Sequence, residues 1–130
     1  MPKLYKNIGL LFVGTGMLHT ALGVLLFGNH LVAIYSAGLI NGIDQHFDRG
    51  FAFWFVFAGL LMIILGYLMD WVVRKNQLRL PKSFGYLLIG VCLIGILVMP
   101  IGGFWLVLLQ GIYIVIQANK KLQVTAQLID

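Results

Sequence analysis

His19 is the side chain in this sequence with the widest choice of chemistry. It lies inside an apolar run from residue 7 to residue 28 and is the one ionisable residue there. A neutral imidazole in such a setting can bind a metal or haem iron, or transfer a proton. The sequence leaves a structural alternative open, in which the histidine only hydrogen-bonds a neighbouring helix.

Three further polar residues recur at helical spacing near the C-terminus. Gln110, Tyr113 and Gln117 stand at positions i, i+3 and i+7, so they share one helix face. In an otherwise apolar helix we expect this face to turn inward and to meet His19. The four side chains are therefore candidates for lining a ligand site inside the protein.

Arg49 and Trp54 are two more candidates, at the start of an aromatic run, FAFWF. An arginine in this place can bind a carboxylate, a phosphate or an anionic lipid headgroup. We expect both residues at the outer edge of the ligand site. The alternative is that they only anchor a helix at the membrane surface, where aromatic residues are enriched.

Asp44, His46 and Asp48 alternate along the chain and could hold a divalent ion or do acid–base work. Their spacing matches no ligand motif, so we predict no metal site; the alternative is a solvated loop in which Arg49 contacts an aspartate. We predict no cofactor either, because a haem on His19 would need a second His19 from a partner copy.

The amino-acid composition indicates that membrane-spanning helices carry these candidate residues. The chain has 130 residues, of which 61% are hydrophobic and 10% charged, against about 45–50% and about 25% in soluble domains. A soluble domain of this size could not bury so much apolar surface. The single cysteine, Cys92, excludes an intrachain disulfide. The net charge of +5 does not indicate nucleic-acid binding, because the basic residues stand at the ends of apolar runs.

Four segments have about the length that a spanning helix needs, roughly 20 residues. They cover about residues 7–28, 50–71, 83–99 and 102–118 of a single membrane domain, 1–130. An outer loop, residues 29–49, is predicted to contain a short amphipathic helix over residues 31–40, and a cytoplasmic loop covers residues 72–82. Pro100-Ile-Gly-Gly predicts a tight turn between the last two helices.

The basic residues predict the orientation of this four-helix bundle. Eight of the nine Lys and Arg residues fall in the two terminal regions and the loop 72–82. An even number of spans puts these regions on one side, so the positive-inside rule places both termini in the cytoplasm. Only Arg49 falls on the other side.

Small residues predict how the first two helices pack. Gly9, Gly16 and Gly23 recur every seven residues, and Gly59 and Gly66 repeat the spacing in the second helix. Such stripes let helix backbones approach closely in lipid. They predict a helix–helix contact and, as an alternative use, the assembly of a homo-oligomer.

Four stretches carry a resemblance to a known group of proteins: GMLHTALGVLLF, SAGLING, DRGFAFWFVFAGLL and LVMPIGGFWLVL. With them the chain resembles an uncharacterised family of small bacterial four-helix integral membrane proteins, similar in architecture to the DoxX type. The resemblance implies the fold and carries no activity.

We therefore expect a protein that binds a lipophilic small molecule or a lipid in an intramembrane pocket opening to the outer face. One alternative is an intramembrane enzyme that uses His19 as an acid–base group or as a metal or haem ligand, although no carboxylate pairs with it inside the bilayer. Another is an oligomeric transport or structural component. The expected partners are membrane lipids, a lipophilic ligand and further copies of the chain, with no nucleic acid.

Overall fold

The computed structural model describes residues 1–127, with side chains described for residues 1–120. Over that range the chain forms the helices α1 (Lys3–Lys6), α2 (Ile8–Ser36), α3 (Phe47–Asp70), α4 (Lys82–Val98) and α5 (Phe104–Gln127). A π-helical turn, Trp71–Lys75, continues α3. The all-α class is therefore confirmed.

The end of α2 differs from the prediction. The helix bends at Phe27, whose backbone is non-helical with φ −117° and ψ 16°, and then continues to Ser36. The predicted short helix over residues 31–40 is thus the last part of α2, joined through a kink and not through a loop. The reason is that the connection folds back onto it: Ile34 is buried, and its carbonyl oxygen lies 2.8 Å from where a Cβ on Gly42 would stand.

The other boundaries lie closer to those expected. α3 begins three residues early, at Phe47, and α4 agrees within one residue at each end. α5 begins at Phe104 and continues past residue 118 to Gln127. The predicted outer loop of residues 29–49 accordingly shortens to residues 37–46.

Two helical stretches, Ile8–Ser36 and Phe47–Lys75, are long and apolar enough to cross a membrane. Only 17% of the most apolar window in each is buried, whereas the core helix of a soluble protein is buried over most of its length. The apolar stretches Lys82–Val98 and Phe104–Lys120 are shorter. By length and composition, two helices can therefore span a bilayer.

Glycines join α2 to α3 along the predicted stripe. A Cβ on Gly16 would lie 3.0 Å from the carbonyl oxygen of Gly59, and one on Gly66 would lie 3.0 Å from that of Gly9. The two backbones are in contact, and no larger side chain fits between them. The predicted glycine contact is confirmed, and α2 and α3 form a first helical hairpin.

α4 and α5 form a second hairpin by the same means. A Cβ on Gly85 would lie 3.0 Å from the carbonyl oxygen of Gly111. The indole N–H of Trp105 donates to the Pro100 carbonyl at 2.9 Å, which fastens the turn between the helices. The tight turn predicted at Pro100-Ile-Gly-Gly is therefore present.

The two hairpins meet at the end where the N-terminus and the connection between α3 and α4 lie, here called the basic end. A cluster of buried apolar side chains fills the junction: Tyr5, Ile8, Phe12, Met69, Val73, Leu80 and Ile114. Two hydrogen bonds hold the connection in place. The backbone N–H of Leu80 donates to the Tyr5 hydroxyl at 3.0 Å, and Arg79 Nη1 donates to the Gln117 carbonyl at 2.7 Å.

Candidate functional site

The interface between the two hairpins is closed at the basic end and open toward the opposite end. On the side of α2 that faces the second hairpin, exposure rises from 1% at Ile8, through the partly buried Thr15, to 67% at Leu26. Along α3 it rises from 1% at Met69 to 50% at Phe51. We call the open part beyond Thr15 the groove.

α5 lines the other side of the groove and shows the same trend. Ile114 is buried, Gln110 is partly buried and Leu106 is 46% exposed. Beyond Gln110, α5 rises only about 9 Å before it reaches the turn to α4, whereas α2 continues for about 32 Å past Thr15, at 1.5 Å per residue. The groove is therefore an open face of the helices and not an enclosed cavity.

Gln110 closes the floor of the groove. Its side-chain Nε2 donates to the Thr15 hydroxyl at 2.8 Å, and that hydroxyl donates to the Leu11 carbonyl at 3.0 Å. Gln110 Oε1 is buried and has no hydrogen-bond partner among the described residues. Gln110 thus reaches α2 as expected, but it meets Thr15, one helical turn below His19.

His19 lies on the wall of the groove, one turn above Thr15 on the same face of α2. Its Nε2 donates to the carbonyl oxygen of Phe55 at 3.1 Å. The imidazole also stacks on the Phe55 ring, with the centroids 4.1 Å apart and the planes 13° apart. The expectation that His19 faces α5 is corrected in this respect: its hydrogen bond goes to α3, because α3 is in backbone contact with α2 at this height and α5 is not.

Three phenylalanines continue the wall above His19, and we call them the aromatic cluster. The Phe27 ring lies 5.1 Å from Phe51 and 5.3 Å from Phe55, and Phe51 lies 6.1 Å from Phe55. Gly23 makes room for them, since a Cβ there would lie 2.8 Å from Cδ1 of Phe55. The groove therefore combines aromatic rings with the polar atoms of His19 and Gln110.

Tyr113 and Gln117 share the inward face of α5 but lie outside the groove. The Tyr113 ring packs 6.2 Å from the Tyr5 ring at the basic end, and Gln117 is buried there beside Arg79. Burial raises the pKa of the Tyr5 hydroxyl, and the hydrogen bond from Leu80 opposes part of that rise. These two predicted ligand contacts thus help to pack the basic end.

A buried carboxylate also belongs to the basic end. Asp70 pairs with Arg74, whose Nη2 and Nε lie 2.9 Å and 3.2 Å from Oδ2. The other oxygen, Oδ1, is buried and has no partner among the described residues. The backbone of Gly9 packs directly against Asp70, so the ion pair sits where α2 and α3 are closest.

At the opposite end, the charged residues pair differently from the prediction. Arg49 Nη1 donates to the Gly42 carbonyl at 3.0 Å, and among the described residues it contacts no aspartate. Asp48 instead lies 3.0 Å from Nδ1 of His30, across the mouth of the first hairpin. The reason is that α2 extends to Ser36, which brings His30 beside the start of α3.

A shallow depression of about 290 Å³ lies beside this end, lined by Ile43, Asp44, Gln45, His46, Phe47, Gly50, Phe51 and Trp54. It brings Trp54 together with Asp44 and His46, and His19 and Gln110 are not part of it. Within the described residues, no group of three or more His, Cys, Asp or Glu side chains is arranged to hold a metal ion. The predicted site residues are therefore spread over the groove, the basic end and this depression.

Comparison with known proteins adds one finding. A model of a family of unknown function, DUF6463, matches residues 3–121. The chain belongs to this family. The DUF6463 match agrees with the expectation of an uncharacterised family and covers all five helices in whole or in part. No curated protein and no solved structure matches the chain.

Sequence reasoning missed three side chains that shape this DUF6463 protein. Thr15 could have been found, because it stands four residues before His19 on one helix face. Phe55 and Tyr5 carry no such signal. Phe55 is one of several aromatics in its segment, and Tyr5 lies in a short helix, α1, that becomes visible only through its contact with Leu80.

Proposed function

We propose that this protein is an integral protein of the bacterial cytoplasmic membrane, with four transmembrane helices and both termini in the cytoplasm. The two long apolar helices support this, and so does the length of the other two, since 17 residues are at the lower limit of a span. Large apolar side chains are exposed on each of the four helices, for example Leu25, Ile64, Leu97 and Leu109. The basic residues gathered at one end support the proposed orientation.

Cysteine labelling in intact cells tests this topology. In a Cys92→Ser background, Gln45→Cys and Asn76→Cys place single thiols at exposed positions near the two ends of the first hairpin. A membrane-impermeant maleimide should label the first variant in intact cells and the second only after permeabilisation. Labelling of both, or the reverse order, would contradict the proposed topology.

We further propose that the groove binds a lipophilic small molecule or a lipid. The observation that carries this is the loss of burial along α2, α3 and α5, which leaves His19, Gln110 and the aromatic cluster beside an open apolar face. Polar atoms in the bilayer interior are expensive unless they are paired. A bound molecule that fills the groove would cover these rings and reach the two polar side chains.

Binding explains the surroundings of His19 better than catalysis does. A general acid or base works with a partner that takes up or delivers a proton. The partner of His19 among the described residues is a backbone carbonyl, which orients the ring and exchanges no proton. The ring is therefore held as part of a wall, with its plane against Phe55.

Native mass spectrometry of the protein released from detergent micelles tests the binding proposal. The wild-type protein should carry a co-purifying apolar molecule of defined mass, and His19→Leu should lower its recovery severalfold. His30→Leu is the matched control, because His30 pairs with Asp48 outside the groove. An empty wild-type protein, equal loading of both variants, or a dimer that carries nothing would overturn the proposal.

A further inference from the structure

The hydrogen-bond network around Gln110 fixes the orientation of its side-chain amide. The Thr15 hydroxyl has one hydrogen, and it donates that hydrogen to the Leu11 carbonyl. Thr15 must then accept from Gln110, so the amide nitrogen points to Thr15 and the amide oxygen does not. Among the described residues the amide then leaves two groups without a partner: Oε1, a buried acceptor, and the second N–H of Nε2.

The same reasoning applies to His19. A carbonyl oxygen can only accept, so Nε2 carries the hydrogen in its contact with Phe55. In a neutral imidazole the other nitrogen, Nδ1, then holds a lone pair. Among the described residues Nδ1 has no hydrogen-bond partner, and the side chain is only partly buried.

The unpaired acceptor that a ligand in the groove can reach is thus Nδ1 of His19, because Oε1 of Gln110 is covered by the protein itself. Acyl chains bring no hydrogen-bond donor to this depth. A ligand whose polar group is a ketone, an ester or an ether has only lone pairs to offer, so the acceptor in the groove would stay without a donor. The cost in binding free energy is comparable to that of an unpaired buried group.

We propose that the groove takes a lipophilic phenol, whose hydroxyl donates to Nδ1 of His19 while its ring packs on the aromatic cluster. The donor requirement comes from Nδ1 of His19, the unpaired acceptor on the wall of the groove. The aromatic ring comes from Phe27, Phe51 and Phe55, which already pack edge-on or tilted against one another and favour a further ring in the same arrangement. This proposal rests on the binding function proposed above and names its ligand class.

A matched pair of probes tests the proposal on the full-length protein in micelles. The probes are 4-nonylphenol and its methyl ether, which have nearly the same shape and differ in the hydrogen that can be donated. Binding is measured by competition with the co-purifying molecule in native mass spectrometry. The wild-type protein should bind the phenol at least about fivefold tighter than the ether, the ratio that one net hydrogen bond gives.

Variants assign the effect to one atom. His19→Phe keeps a ring on Phe55 and removes Nδ1, so the preference for the phenol should fall to about one while the ether still binds. His30→Phe should keep the wild-type preference, and because all variants share the same micelles, partitioning of the probes cancels. A preference that persists in His19→Phe would overturn the assignment to His19.

The remaining outcomes separate this proposal from the one it rests on. Equal binding of phenol and ether by the wild-type protein would overturn the donor requirement and leave binding in the groove intact. Binding of neither probe, together with an empty purified protein, would overturn the binding function itself. Loss of the preference in Gln110→Leu but not in His19→Phe would show that Oε1 of Gln110 is the acceptor, and would overturn the role given to Nδ1.

Discussion

At the basic end the two hairpins share a cluster of buried side chains, while in the groove the same helices meet through a hydrogen bond between two side chains. The cluster joins residues as far apart as Tyr5 and Leu80. The groove has Gln110 and Thr15 as its cross-link. Large apolar side chains stand at both ends of the helices, as Met69 does at the basic end and Phe51 beside the groove, so apolar composition alone does not decide where they pack.

The difference lies in what fills the space between the helices. At the basic end, α1 and the connection between α3 and α4 both fold into the junction, and Tyr5, Val73 and Leu80 occupy it. No such segment enters the groove from the described part of the chain, because the turn between α4 and α5 is short. The basic end therefore supplies stability, and the groove is left available for a ligand.

The largest effect is expected from closing the gap at Gly9. In Gly9→Ala the new Cβ would overlap the backbone of Asp70, so α2 and α3 must move apart where they are closest. We expect the free energy of unfolding to fall by about 3 kcal/mol, the upper part of the range for overpacking. Unfolding in mixed detergent micelles, followed by circular dichroism, measures it.

Gly14→Ala is the control for this prediction. A Cβ at Gly14 has no neighbour within 4 Å, and alanine is the better helix former by about 1 kcal/mol. This variant should be as stable as the wild-type protein or slightly more stable. If both alanine variants unfold alike, the backbone contact at Gly9 does not hold the basic end together.

A smaller effect is expected from Tyr5→Phe. The ring is kept, but the buried N–H of Leu80 loses its acceptor, which costs about 1–3 kcal/mol. The same unfolding experiment measures it, with Tyr35→Phe as the control because that tyrosine is 73% exposed. Equal stability of the two variants would mean that the Tyr5 hydroxyl does not tie the N-terminus to the α3–α4 connection.

The smallest effect is expected in the groove. A double-mutant cycle with Gln110→Leu and Thr15→Val should give a coupling energy of about 0.6 kcal/mol, the average for polar contacts between membrane helices. Leucine also removes the unpaired Oε1, which offsets part of the loss. A coupling energy well above the free-energy cost of the substitutions at the basic end would contradict this expectation. It would mean that the groove, and not the basic end, supplies most of the stability.

Particular residues show how far the sequence reaches. The glycine spacing at Gly9, Gly16, Gly59 and Gly66 correctly predicted the contact of the first hairpin. Two helix backbones can touch only where small residues recur at regular spacing, and that repeat is visible in the sequence. The meeting of Gln110 with the first helix was also predictable from its helix face. That Gln110 would meet Thr15 was not predictable. The position of one helix along the axis of the other depends on how the hairpins join at the basic end, and no local sequence pattern encodes it.

The sequence by itself determined the all-helical class, the glycine contact of the first hairpin and the tight turn of the second. It also predicted four helices able to span a membrane, of which two have the length for it in the structure. Periodicity and composition act within one helix or between neighbours in the chain, so they can be read from a short window. Only the tertiary structure decided that His19 bonds to Phe55, that Tyr113 and Gln117 pack at the basic end, and that the groove stays open. Those outcomes depend on contacts between segments up to 95 residues apart, as between Thr15 and Gln110, which no local window contains.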